Sequence, residues 1–123
     1  MHEISVMMEV IRIVDEMAEK NKIEHVVEIA FEIGECSAVI PMFMEEYFPV
    51  LSSEKPLYNG CKLKFHTIQA GAVCNSCGKP FKVVENEGKC PFCGSEDKTF
   101  FSGNEFSIRE VVVADAEPPA EKV

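Results

Sequence analysis

Apolar residues recur every three or four positions across residues 4–20. Met7, Val10, Ile11, Val14, Met17 and Ala18 form one stripe, with Glu9, Arg12, Asp15, Glu16 and Glu19 largely opposite. That period predicts an amphipathic helix, and Asn21 is a plausible stop. Over residues 23–33 the period falls to two: Val27, Ile29, Phe31 and Ile33 alternate with Glu28, Ala30 and Glu32. This is the pattern of a half-buried strand, ended by Gly34. Residues 37–41 read as a turn into a second helix, with Pro41 near the first helical position, where its missing N–H costs nothing. Met42, Phe43, Glu46, Tyr47, Val50 and Leu51 are the expected inner face of that helix. Pro49 predicts a kink or an end near Phe48. After the Asn59-Gly60 turn, residues 61–69 alternate again, with Cys61, Leu63, Phe65 and Thr67 against Lys62, Lys64 and His66. Residues 105–113 read as a third strand.

Between the last two strands the periodicity disappears. From Ala70 to Gly103 the chain is rich in Cys, Gly and Lys. Cys74-Asn75-Ser76-Cys77-Gly78 is followed, after twelve intervening residues, by Cys90-Pro91-Phe92-Cys93-Gly94. Two C-x-x-C-G knuckles at this spacing indicate a metal site of four thiolates, Cys74, Cys77, Cys90 and Cys93. A two-residue gap lets both sulfurs of a knuckle reach one ion at about 2.3 Å. The two glycines suit a backbone turned so that its N–H groups face the sulfurs. Tetrahedral thiolates suit Zn(II), or iron in a rubredoxin-like site, and a redox dithiol pair is the alternative. With every position filled by sulfur, a zinc ion here is structural. A segment of about 30 residues is expected to lack its own apolar core and to fold on metal free energy.

The element order is helix, strand, helix, strand, cysteine-rich insert, strand, tail. It predicts an α+β fold: a three-stranded sheet with two helices, plus an inserted zinc-ribbon-like module. The expected domains are 1–69 with 104–113, the insert 70–103, and a disordered tail 114–123 holding Pro118-Pro119.

Composition narrows the partners. The chain has 123 residues, 12 basic and 21 acidic, for a net charge of −9. Such a surface repels phosphate backbones, so nucleic acid is not expected as a partner. Inside the insert four lysines meet four acids, which favours a protein partner. The acidic first third, nine acids against three bases over residues 1–35, reads as a solvated face. No apolar run approaches the roughly 20 residues of a membrane span, and no secretory signal is evident. The expected location is the cytoplasm, where six cysteines point to thiols or metal ligands rather than disulfides. His25 and His66 read as exposed, Cys61 as a buried thiol, and Cys36 as a buried or half-exposed one. No Ser-His-Asp set, phosphate loop or open metal position suggests an enzyme.

The chain opens Met1-His2-Glu3. The α-amine, the His2 amide nitrogen and the His2 imidazole can form fused chelate rings on one ion, with the Glu3 amide or carboxylate as a fourth donor. A planar nitrogen set suits Ni(II) or Cu(II), although a terminal histidine is most often merely solvated. At this point the sequence resembles the HypA/HybF nickel-incorporation family, which matures nickel–iron hydrogenases. The resemblance runs from Met1 to about Val113. It rests on Met1-His2-Glu3, the following Ile4, Ser5 and Val6, Glu32-Ile33-Gly34-Glu35 with Ser37, both knuckles, and Ser102-Gly103-Asn104-Glu105. It implies a metallochaperone without turnover. Ni(II) is its cargo at Met1, His2 and Glu3, and Zn(II) its structural ion at the four cysteines. The implied partners are the GTPase HypB and a hydrogenase large-subunit precursor; some members also serve urease. A monomer or a weak, domain-swapped dimer is expected. Some relatives carry an acidic residue after the Ile-Gly-Glu segment, where this chain reads Cys36-Ser37-Ala38-Val39-Ile40-Pro41, so no carboxylate ligand is expected from that loop. The competing reading is a zinc-ribbon adaptor that joins proteins and carries no nickel.

Overall fold

The computed structural model describes residues 3–114. Two helices, α1 (Glu3–Asn21) and α2 (Pro41–Leu51), accompany six strands: β1 (His25–Gly34), β2 (Lys62–Ile68), β3 (Gly71–Cys74), β4 (Pro80–Lys82), β5 (Lys98–Ser102) and β6 (Phe106–Ala114). The fold is α+β. One sheet has the order β2-β1-β6 and the other β4-β3-β5. The chain divides into two compact units. The first takes Met1–Phe31, Val39–Phe65 and Ile108–Val123, and the second Glu32–Ala38 and His66–Ser107.

In the first unit the α1 stripe is the expected one. Val6, Met7, Val10, Ile11, Val14 and Ala18 are buried, and Met17 sits half-buried at its edge. The helix stops where the residue after Asn21 turns left-handed: Lys22 has φ 57°, and the Ile23 N–H reaches back to the Ala18 carbonyl at 2.8 Å. That six-to-one bond satisfies a carbonyl the helix would leave open. The Asn21 side chain caps another, donating to the Met17 carbonyl at 2.9 Å.

The inner face of α2 differs from the expected one. Met44 and Phe48 are buried, while Met42 and Val50 are 60% and 70% exposed and Glu46 is exposed. This helix is apolar on nearly every side, so spacing alone could not choose which stripe turns inward. Pro49 does not end it at Phe48 either. The helix runs on to Leu51, because a proline in the last turn forfeits one bond to an exposed carbonyl and little else. Ser52 then closes the end, its N–H and hydroxyl both donating to the Phe48 carbonyl at 2.9 and 2.8 Å.

The segment after α2 is pinned to α1. The Tyr58 hydroxyl lies 2.8 Å from the Asp15 carboxylate and 3.2 Å from the Ile11 carbonyl, and the Lys55 ammonium is 2.9 Å from Asp15. The Tyr58 ring meets Phe48 edge to face with centroids 5.6 Å apart. Burial, and then the Asp15 carboxylate, hold this phenol well above its ordinary range.

β1 is central in its sheet and buries residues from both faces. Ile29, Phe31 and Ile33 belong to the expected face, Val26 and Ala30 to the other, and Val27, expected inside, is exposed. Strict alternation marks a strand covered on one face, and the burial of Val26 and Ala30 shows that β1 is covered in part on both. Phe31 stacks on Phe65 of β2 at 5.3 Å. β6 extends to Ala114, one residue into the expected tail; residues 115–123 of that tail lie outside the described residues.

The second unit corrects another expectation. The insert has a small core of its own: Ala70, Ala72, Cys74, Phe81, Val83 and Cys90, with Phe100 packed against it. Metal free energy is therefore added to some apolar burial. The segments that carry the family resemblance meet at the root of this sheet. The Gly34 N–H bonds the Glu105 carbonyl at 2.9 Å and the Cys36 N–H bonds the Gly103 carbonyl at 2.8 Å. The Glu35 carboxylate takes the Ala70 N–H at 2.9 Å. A Cβ on Gly34 would collide with the Gly103 backbone, and one on Gly103 (φ 83°) with Ala70. Glycine is required here for close approach as well as for the dihedral.

The α2 face makes a direct test. Met44→Ala is expected to lower unfolding free energy by roughly 2–5 kcal/mol, and Met42→Ala by less than about 0.5 kcal/mol. Urea unfolding of the two variants checks it.

Candidate metal centre

The two knuckles are built alike. In the first, the Gly78 N–H bonds the Cys74 carbonyl at 2.8 Å, and the Cys74 N–H bonds the Lys79 carbonyl at 2.9 Å. In the second, Gly94 to Cys90 and Cys90 to Ser95 repeat both bonds at 2.8 and 2.9 Å. Gly78 and Gly94 each have φ 80°, a left-handed value that favours glycine. The tight turn aims backbone donors at the leading sulfur. Ser76 and Cys77 N–H lie 3.3 and 3.4 Å from Cys74 Sγ, and Phe92 N–H lies 3.4 Å from Cys90 Sγ.

β3 delivers Cys74 at its last residue, and the two knuckles face each other. Cys74 Sγ is 3.5 Å from Cys93 Sγ, and Cys77 Sγ is 3.6 Å from Cys90 Sγ. All four sulfurs lie within 4.8 Å of one another. A tetrahedron with zinc–sulfur bonds of about 2.3 Å has edges of about 3.8 Å. The donors thus fit a tetrahedral ion such as zinc. Cys74 and Cys90 are buried, and Cys77 and Cys93 are exposed.

Electrostatics divides the four sulfurs in the same pairs. The Cys77 N–H, followed by that of Ser76, pulls the Cys74 thiol down against the cost of burial. Burial pushes Cys90 up, but the Phe92 and Cys93 N–H groups outweigh it and the thiol is lowered. At Cys77 the Lys79 N–H lowers the thiol, yet burial and the Cys90 and Cys74 sulfurs leave it raised. At Cys93 the Ser95 N–H is outweighed by Cys74, burial, Cys90 and Cys77. Each knuckle pairs a lowered leading thiol with a raised trailing one, and an arriving ion deprotonates whichever sulfurs still hold a proton. Metal binding here releases protons and weakens as pH falls.

A polar set that sequence reasoning missed locks the knuckles together. The Asn75 amide donates to the Asp97 carboxylate at 3.0 Å, the Thr99 hydroxyl donates to Asn75 Oδ1 at 3.1 Å, and the Ser76 and Ser95 hydroxyls meet at 3.0 Å. Short polar residues flanking the cysteines were the available signal, since these types hold turns.

Of the expected nickel residues, Met1 and His2 lie outside the described residues. Glu3 opens α1, and its carboxylate accepts the Ile40 N–H at 3.0 Å. Cys36 is exposed and Cys61 half-buried, where burial first and the Glu28 charge second push its thiol up to about 11. His25 and His66 are exposed.

Comparison with known proteins bears on this arrangement. Residues 1–113 match the family model described as hydrogenase/urease nickel incorporation, metallochaperone, hypA. The chain belongs to the HypA family. A hydrogenase maturation factor HypA of Actinobacillus succinogenes is 34% identical over 113 residues, covering 92% of this chain and 99% of that protein. A hydrogenase maturation factor HybF of Klebsiella pneumoniae is 28% identical over 111 residues, covering 90% and 97%. The solution structure of the Ni metallochaperone HypA from Helicobacter pylori is similar with a TM-score of 0.68 and 25% identity, covering 94% of this chain and 99% of that one. The family is one of maturation factors rather than catalysts. Among the described residues no helix is long and apolar enough to cross a membrane.

With metal on the four knuckle sulfurs, two thiols remain. Cys36 should react quickly with a thiol reagent at pH 8. Cys61 should lag, because a thiol pushed up to about 11 is almost wholly protonated there, and its rate should climb as pH approaches that value. Stopped-flow labelling of the wild type and a Cys36→Ser variant separates the two.

Proposed function

We propose that this chain is a nickel metallochaperone that supplies Ni(II) to a hydrogenase large-subunit precursor. Support comes from the reach of the family match, which takes in both the Met1-His2-Glu3 opening and the four-cysteine cluster. Nickel is cargo and is held at the N-terminus. The Met1 α-amine, the His2 amide and the His2 imidazole donate nitrogen, and Glu3 supplies a fourth donor. Such a set suits a square-planar ion, and it releases its cargo when a partner or a proton competes for a donor. Zinc is the resident ion at Cys74, Cys77, Cys90 and Cys93. It leaves no open position, so it shapes the second unit and takes no part in transfer chemistry. The nickel-binding part comprises residues 1–69 and 104–113, with the zinc module 70–103 inserted. The GTPase HypB and the precursor are the partners, the cytoplasm is the location, and no catalytic turnover is involved.

Tag-free, zinc-loaded protein should bind one Ni(II) tightly, with affinity rising as pH passes through about 6.5 and about 8, where imidazole and α-amine lose their protons. His2→Ala should abolish that binding and leave zinc in place. One extra residue before Met1 should do the same by moving the amine out of chelate position. Titration calorimetry with metal analysis reads all three. Unchanged nickel affinity in His2→Ala would sink the assignment, and absence of binding in every form would favour the adaptor reading.

A further inference from the structure

A groove in the second unit is built by a fault in strand register. β3 pairs with β5 as Ala72↔Phe100 and then Gly71↔Ser102, which leaves Phe101 without a partner on β3. A bulge of this kind re-aims the extra side chain. Phe101 is 61% exposed, and its ring lies across Gly71, where a Cβ would come within 2.6 Å of two ring carbons. The ring walls a groove of about 290 Å³ that Pro80, Phe81 and Lys82 also line. That is the scale of one large apolar side chain rather than of a cofactor.

The groove carries positive charge. Lys82 is the sole charged residue lining it, on a protein of net charge −9. Lys79, beside Pro80, stands 4.7 Å over the exposed ring of Phe92. Of the other lysines in the second unit, Lys89 lies 3.9 Å from Glu96, and Lys98 donates to the Gly88 and Glu96 carbonyls. Among the described residues neither Lys79 nor Lys82 has a carboxylate partner. The strand edge itself is blunted. β4 is outermost in its sheet, Pro80 has no N–H, and the Lys82 carbonyl is taken by the Asn86 amide at 2.7 Å. Strand addition is disfavoured there, so a visitor enters by its side chain.

We propose that this groove docks an acidic protein segment bearing one aromatic or large aliphatic side chain. That side chain lies against Phe101 and over Gly71, while flanking carboxylates meet Lys82 and Lys79. A polyanion such as nucleic acid meets repulsion over the remaining acidic surface. A short acidic segment finds here, beside an apolar groove, two ammonium groups without a carboxylate partner among the described residues, and their charge sets how it is oriented. The site uses none of the four metal-facing cysteines and stands independently of the nickel reading.

The test is a titration of ¹⁵N-labelled, zinc-loaded full-length protein with the blocked peptide Glu-Asp-Phe-Glu-Leu, alongside its basic counterpart Lys-Lys-Phe-Lys-Leu. The acidic peptide should give saturable shifts at the Gly71, Lys82, Phe101 and Ser102 amides, and the basic one none. Lys82→Glu should weaken binding at least about tenfold. Phe101→Ala should abolish it with the Gly78 and Gly94 resonances in place; if those resonances move, the Lys82 variant alone decides. Absence of saturable shifts at the groove, equal binding of the basic peptide, or unchanged affinity in Lys82→Glu would overturn the proposal.

Discussion

Four sulfur atoms held within 4.8 Å of one another are the constraint on which the second unit turns. As thiolates they repel, and two of them sit in a small core with Phe81 and Val83. Backbone donors resolve part of the conflict by favouring negative charge on Cys74 and Cys90. A bound cation resolves the rest. Because Cys74 and Cys90 are core members and metal-facing groups at once, apolar packing and coordination are one structure rather than two. The knuckle turns, the cross-links from Asn75 and Ser76, and the short β4-β3-β5 sheet all serve to keep the sulfurs converged.

The first unit rests on different physics. Its order comes from an amphipathic helix, a central strand shielded on both sides, and a buried tyrosine shared by both helices. Glu3 joins the opening of α1 to the residue before α2 through one carboxylate. A residue carried by the family resemblance as a nickel donor thus also has a structural contact.

Much of this was legible in the chain itself. The α1 stripe, the strand positions and the knuckle spacing are local periodic signals, and they translated directly. The α2 face was not legible, because Met42, Met44, Phe48 and Val50 present apolar groups all round and only tertiary contacts select among them. Val26 and Ala30 were missed for a related reason: alternation assumes one buried face, and β1 buries residues on both. The three short strands of the insert lacked enough residues to show a period. The Gly34–Gly103 approach was visible only as a resemblance, since no local rule says that residues so far apart must lose their side chains to touch. The Phe101 bulge is a property of register and has no signature within one strand.

The Gly103 approach has a consequence for the entropy of folding. Ala70 and Gly103 lie side by side, and the chain between them is a loop whose closure costs conformational entropy. An ion clasped by Cys74 and Cys93 gathers the middle of that loop in advance and leaves three residues on one side and nine on the other. With the loop gathered, less entropy remains to be lost when β6 takes its place beside β1. With the sulfurs unligated, that entropy falls instead on completing the β2-β1-β6 sheet, whose strands hold none of the four knuckle cysteines.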